Sequence, residues 1–187
     1  MKILLTACLA LACTTLYAQD KMDCPMHQSA ADQHAVGVDM RGDHAMGFSH
    51  ENTKHHFELL SNGGIIEVDA NSETDATTRD QIREHLTHIA SMFSANNFEV
   101  PMFIHGTVPP GVPVMKEKHA AITYTFMQTP KGAMVRIVTR DPEALKAVHK
   151  FLAFQIKDHR TADPTAVNKP FPSPNVDDVV EPHQTPQ

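Results

Sequence analysis

An α+β domain is predicted for this chain. It consists of two strand-strand-helix units that form a four-stranded antiparallel sheet with two helices on one face. Three observations predict it. Two stretches of alternating apolar residues each hold a turn signal, each stretch is followed by a segment of helical period, and the two helical segments align without gaps.

The first unit begins with HHFELLSNGGIIEVDA, where Asn62-Gly63 between apolar runs marks a hairpin because both residues tolerate positive φ. TTRDQIREHLTHIASMF follows, and Thr78 and Gln81 have capping-box spacing. The second unit begins with AITYTFMQTPKGAMVRIVTR, with Pro130 and Gly132 at its turn. Its helix, DPEALKAVHKFLAFQIKDH, has Asp141 to cap it, Pro142 at the first helical position and Glu143 to suit the dipole. Ile82, Ile89 and Phe93 of the first helix match Leu145, Leu152 and Ile156 of the second. One such unit buries its apolar faces poorly, and two together make a two-layer domain. The linking segment FEVPMFIHGTVPPGVPVMKEKHA has four prolines that forbid a long helix. Its Met102, Phe103 and Ile104 are too apolar for a free loop, so it is expected to pack back onto the core.

Four regions follow. Residues 1–18 are expected to be a signal peptide: Lys2 precedes an apolar run, and Leu16-Tyr17-Ala18 offers a small residue for cleavage. Lipidation at Cys13 is the alternative. Residues 19–52 are polar without sustained period and are expected to form a flexible, Met/His-rich arm. Residues 53–160 form the α+β domain, and residues 161–187, with six prolines in 27 positions, an extended disordered tail. The expected location is periplasmic or secreted. No later run is apolar enough to form a transmembrane segment.

Loss of the leader removes Cys8 and Cys13, which leaves Cys24 as a lone thiol with no intrachain partner. It also leaves 15 basic against 22 acidic residues. A net charge near −7 argues against a nucleic-acid partner, which needs a basic face, and against an anionic membrane surface.

Metal ions are the predicted partner. From Asp20 to His56 there are six histidines, four methionines and Cys24. Thiolate and thioether select Cu(I), and imidazole accepts Cu(I), Cu(II) and Zn(II). An arm without a core has no packing use for methionine. Copper, as Cu(I) or Cu(II), is therefore expected ahead of zinc, with Cys24, Met26, His27, His44 and Met46 as capture ligands. Imidazoles of ordinary pKa release metal in mild acid, whereas thioethers do not.

Cys24-Pro25-Met26-His27 resembles the Cys-Pro-Met-His-Pro motif of small heavy-metal-binding domains in copper transporters and efflux proteins. Asp23 and Gln28 depart from that motif, and the rest of that small domain is absent. The resemblance implies soft-metal contact by Cys24, Met26 and His27. The stretch from about Met40 to His159, through RGDHAMGFSHENTKHHF, PMFIHGTVPPGVP and FLAFQIKDHR, resembles an uncharacterised family of secreted bacterial proteins. That likeness implies one exported domain and no particular mechanism.

A second candidate site lies on the first helix. At about 100° per residue, Ile82, Leu86, Ile89 and Phe93 point to the core, with His85, His88 and Met92 in a strip to one side. His85 and His88, three apart, have Cβ atoms roughly 5 to 6 Å apart. The matching positions on the second helix, Val148, Phe151 and Gln155, are no ligand strip. Completing groups are sought in His50, in one of His55 and His56, which face opposite sides of a strand, and in His105. Copper sequestration or delivery, with hand-over to another periplasmic metal-handling protein, is the leading reading. A metal-dependent enzyme with a His-lined site, or a domain binding a non-metal ligand or a protein, are the alternatives. His-Glu-x-x-His, Gly-x-Ser-x-Gly and phosphate loops are absent.

Overall fold

The computed structural model describes residues 29–171. Helix α1 (Ala30–Met46) leads into strands β1 (Thr53–Leu60) and β2 (Gly63–Ala70) and helix α2 (Ala76–Ser94). Short helices α3 (Glu99–His105) and α4 (Val112–Glu117) precede β3 (Ile122–Gln128), β4 (Gly132–Thr139), α5 (Pro142–Asp158) and β5 (Val167–Asn168). The sheet order is β3-β4-β2-β1-β5. The α+β class holds, and both expected hairpins and both long helices are present.

The four-stranded, wholly antiparallel sheet does not hold. The sheet has five strands and is mixed, because β5 pairs parallel with β1 through Leu59↔Val167 and Leu60↔Asn168. Two residues are too few to carry a period. Pro164 and Pro170, which mark an extended chain, bracket a stretch free to pair with an open edge.

The tight turn at Ser61-Asn62 delivers Gly63 with φ 150°. A Cβ at Gly63 would stand 1.9 Å from the Ile137 carbonyl oxygen, so only glycine lets β2 approach β4 there. Phe57 and Leu59 of β1, Ile66 and Val68 of β2, and Val135 and Ile137 of β4 line one face of the sheet. Ile82, Leu86, Ile89 and Phe93 of α2 and Val148, Phe151, Leu152 and Ile156 of α5 cover it, which makes the single core. Phe98 stacks on Phe93 at 4.5 Å and carries the segment between the units into that core.

Local capping differs from expectation at one helix. Asp75 caps α2, accepting from the Thr78 N–H at 3.0 Å, and Thr78 is itself a buried first-turn residue. Asp141 caps α5 as expected, accepting from the amides of Glu143 and Ala144. The proline-rich linker holds two short helices. Pro101 and Pro113 both sit in first turns, where a missing N–H costs nothing.

Within the stretch read as a flexible arm, residues 30–46 are helical. Ser29 and Asp32 form a capping box on α1, which packs on α3. Its buried face is Val38, Gly42 and Met46, four apart, and a stripe so poor in apolar residues leaves no readable period. Polar ties secure it. Arg160 Nη2 donates to both Asp39 oxygens at 2.6 and 2.8 Å, Arg41 Nε donates to the Ile104 carbonyl at 2.7 Å, and His34 meets Asp158 at 2.9 Å. Among the described residues no helix is long and apolar enough to cross a membrane.

Candidate functional site

Strand β1 sends His55 to the core side and His56 to the other, as strand alternation requires. His55 therefore enters a pocket of about 60 Å³ between the sheet and helices α2, α3 and α5. His85 from α2, His105 from α3, Gln155 and His159 from the end of α5, and Met46 from α1 line it with it. The remaining wall is aliphatic or aromatic, including Phe57, Ile89 and Phe93.

The histidines fall into two populations. One is tied to oxygen atoms: His34 and His105 to Asp158, His50 to Asp43 at 2.8 Å, His56 to Asp163 at 3.1 Å, and His149 to the Leu60 carbonyl. His105, only 2% exposed, uses both ring nitrogens, with Nδ1 2.5 Å from Asp158 and Nε2 2.8 Å from Gln155 Oε1. These bonds and those from His34 hold the Asp158 carboxyl below its usual range, although burial alone would raise it.

The other population has no such tie. Among the described residues no hydrogen bond or ion pair engages a ring nitrogen of His55, His85 or His159. The His55 and His159 rings stack, with centroids 5.2 Å apart and planes 8° from parallel. His159 also meets His105 edge-on at 5.0 Å. His85 meets Phe48 edge-on at 5.8 Å. Burial pushes His55 down to about 4, assisted by repulsion from His85, His56 and His50. Burial and the His88 charge bring His85 to about 4. Burial, with repulsion from His55 and His105, takes His159 to about 3 despite Asp158 nearby. All three rings are thus neutral at pH 5 and above, and each offers one unshared lone pair.

Met46 is 8% exposed and also borders two further recesses. One, about 240 Å³, adjoins the pocket at His55 and His159 and is lined by Asp39, His50, Lys54, His56 and Arg160. The other, about 300 Å³, adjoins it at His85 and includes Gln81, Glu84 and His88. Met46 and the unpartnered histidines therefore stand between an apolar interior and two polar antechambers.

Several expected ligands are placed otherwise. Cys24, Met26 and His27 lie outside the described residues. His85 lines the apolar pocket while His88 is exposed, and Met92 lines neither the pocket nor the recess that His85 and His88 share. The strip His85–His88–Met92 is therefore not one cage. His44 is exposed near Phe103, on the opposite side of α1 from the buried Met46, because positions two apart on a helix point away from each other. His50 and His56 are engaged by carboxylates, and His105 has no spare lone pair while both of its bonds are made. Among the described residues, no group of three His, Cys, Asp or Glu side chains is gathered to hold a metal ion. His159 and Gln155 were not among the expected site residues. Their place at the last turn of α5 was visible in the sequence, but their proximity to β1 and α3 was not.

Comparison with protein-family models, curated proteins and solved structures returns no match for this chain.

Proposed function

We propose that the protein is an exported copper-binding protein, and that its folded site is the pocket of Met46, His55, His85 and His159. The observation that carries this reading is three neutral, unpartnered imidazoles around the same small cavity as a buried thioether. The pocket, about 60 Å³, has room for an ion and adjoins the recesses of about 240 and 300 Å³ through its histidines. Thioether with imidazole is a donor set that favours Cu(I). Among the described residues these rings are not gathered for any metal ion as they stand, so the choice of copper over zinc rests on the thioether alone and binding requires side chains to turn.

The His55 and His159 planes are nearly parallel, so their lone pairs lie in two separate stacked planes. Capture requires one ring to turn about its side-chain torsions, which makes loading slower than at a preformed cage. The arm ligands Cys24, Met26 and His27 supply rapid first capture in this scheme, and hand-over to another periplasmic metal-handling protein completes it. The depressed pKa values distinguish the pocket rings from an ordinary imidazole such as His27, while Cys24 and Met26 also keep a soft ion in mild acid. Ordinary imidazoles lose metal to protons near pH 6, whereas the pocket rings have no proton to compete with until about pH 4.

The test loads the purified protein with Cu(I), dialyses it at pH 5, and counts retained copper by elemental analysis. In a background carrying Cys24→Ser and Met26→Leu, which removes the sulfur ligands of the arm, one equivalent is expected to remain with and without His88→Ala. His85→Ala and Met46→Leu should each weaken binding about tenfold or more in competition with a chelator, equivalent to roughly 1.4 kcal/mol or more. Absence of copper in that background, or equal losses in His85→Ala and His88→Ala, would overturn the proposal.

A further inference from the structure

We infer that the outer edge of β3 is an interface, on which a second copy of this chain pairs antiparallel about Thr125 to make one sheet continuous across two subunits. The inference is independent of the copper reading. β3 stands at one end of the strand order, with β4 as its paired neighbour, whereas the opposite end of the sheet is closed by β5. Open edges are ordinarily blunted by a charge, a proline, a bulge or a covering element. The strand ITYTFMQ has no charge, proline or glycine, and its register with β4 runs from Ile122 to Gln128 without a bulge. Helix α2 packs on the core face of β3, and among the described residues no second strand lies beside it.

The hydrogen-bond phase decides the register. At the hairpin the Thr129 N–H donates to the Gly132 carbonyl at 3.1 Å. Bonded and non-bonded pairs alternate along an antiparallel ladder, so Thr123, Thr125 and Met127 bond to β4. The backbone groups of Tyr124, Phe126 and Gln128 then point away from it. The Ile122 N–H turns back to the His119 carbonyl, which leaves its own carbonyl free to accept. A two-fold contact sets the same patch against itself. Centred on Thr125, Tyr124 and Phe126 of opposite copies exchange both bonds, and the Gln128 N–H meets the Ile122 carbonyl. A register centred two residues to either side leaves some of these groups unpaired. On the core side an aromatic ring then meets an aromatic ring, and on the open side the exposed Thr123 meets Met127 while the exposed Thr125 meets its own copy. No like charges oppose each other along the strand, and this is what makes the edge complementary to itself. Seven residues at about 3.4 Å each span roughly 24 Å, shorter than a standard interface needs, so the dimer is a weak one.

Metal-free protein is measured by sedimentation equilibrium from about 10 µM to about 1 mM, the range in which a small interface associates. Wild type is expected to shift from monomer towards dimer. Thr125→Lys sets two ammonium groups on the two-fold axis and should stay monomeric with an unchanged circular dichroism spectrum. Disulfide trapping is the second measurement, and it does not depend on how Thr125→Lys folds. In a background of Cys8→Ser, Cys13→Ser and Cys24→Ser, Thr125→Cys puts two thiols on a non-hydrogen-bonded pair with Cα atoms about 4.5 Å apart, within disulfide reach. Thr123→Cys leaves its two thiols four residues apart along the strands. Diamide should therefore link Thr125→Cys about tenfold faster than Thr123→Cys, or more. A wild type that stays monomeric throughout, a dimer that Thr125→Lys leaves intact, or equal trapping of Thr123→Cys and Thr125→Cys overturns the inference. Every arm is read without copper, so none of these results bears on the pocket.

Discussion

Acidification from pH 7.5 to 5 should strip this protein of much of its stability, and the pocket histidines are the cause. In the unfolded chain each ring takes up a proton near pH 6.5, while in the fold His55 and His85 wait until about pH 4 and His159 until about pH 3. Between these limits the unfolded state binds more protons, so stability rises with pH, is fully present above about 6.5, and is lost as pH falls towards 4. Over this drop each ring contributes about 2 kcal/mol, and the three together at most about 6 kcal/mol, a large share of a typical 5–15 kcal/mol. Asp158 and Asp163, both held low, act only below about pH 4. Glu67, raised by burial and by Asp69, works in the opposite sense at the acid edge of the window. With an m-value of about 2 kcal/mol/M, the urea midpoint should fall by about 2 to 3 M. The assay is urea unfolding of metal-free protein followed by circular dichroism at several pH values. His159→Phe should remove about a third of the slope. A midpoint that stays flat from pH 7.5 to 5, or a slope that His159→Phe leaves unchanged, would refute the reasoning.

Two further outcomes test the scaffold. Gly63→Ala places a methyl group against the Ile137 carbonyl and should cost more than about 3 kcal/mol in urea unfolding, well beyond an ordinary surface change. Asp163→Asn weakens the acceptor for the Phe57 N–H, His56 and Thr161, and should cost about 1–2 kcal/mol and speed amide exchange at Phe57. An unchanged exchange rate there would show that the tail is held by other contacts.

The parts of the fold legible in the sequence are those whose residues repeat. The two hairpins and α2 and α5 announce themselves by alternation, by helical period and by alignment with each other. Helix α1 does not, because its docking uses Arg160, Asp158 and the Ile104 carbonyl, all more than 60 residues away in the chain. The site was half visible. His55 and His85 follow from strand and helix geometry once the core face is known. His105 was expected only as a completing ligand; it is buried, and its partner Asp158, 53 residues distant, is what removes it from the free ligands. Gln155 matches Met92 in the aligned helices, and nothing in the alignment shows that its amide is bonded to a ring on α3.

The smallest strand has a consequence out of proportion to its length. Asp163 receives the Phe57 N–H, the Asn168 carbonyl receives the Ser61 N–H, and the Asn168 side chain donates to Glu58, so residues 163–168 cover the outer rim of β1. A polypeptide stopped at Arg160, where the periodic pattern ends, would leave that rim bare, beside the strand that presents His55. Bare rims zip onto their own kind. Such a shortened chain is expected to gather into oligomers through that edge.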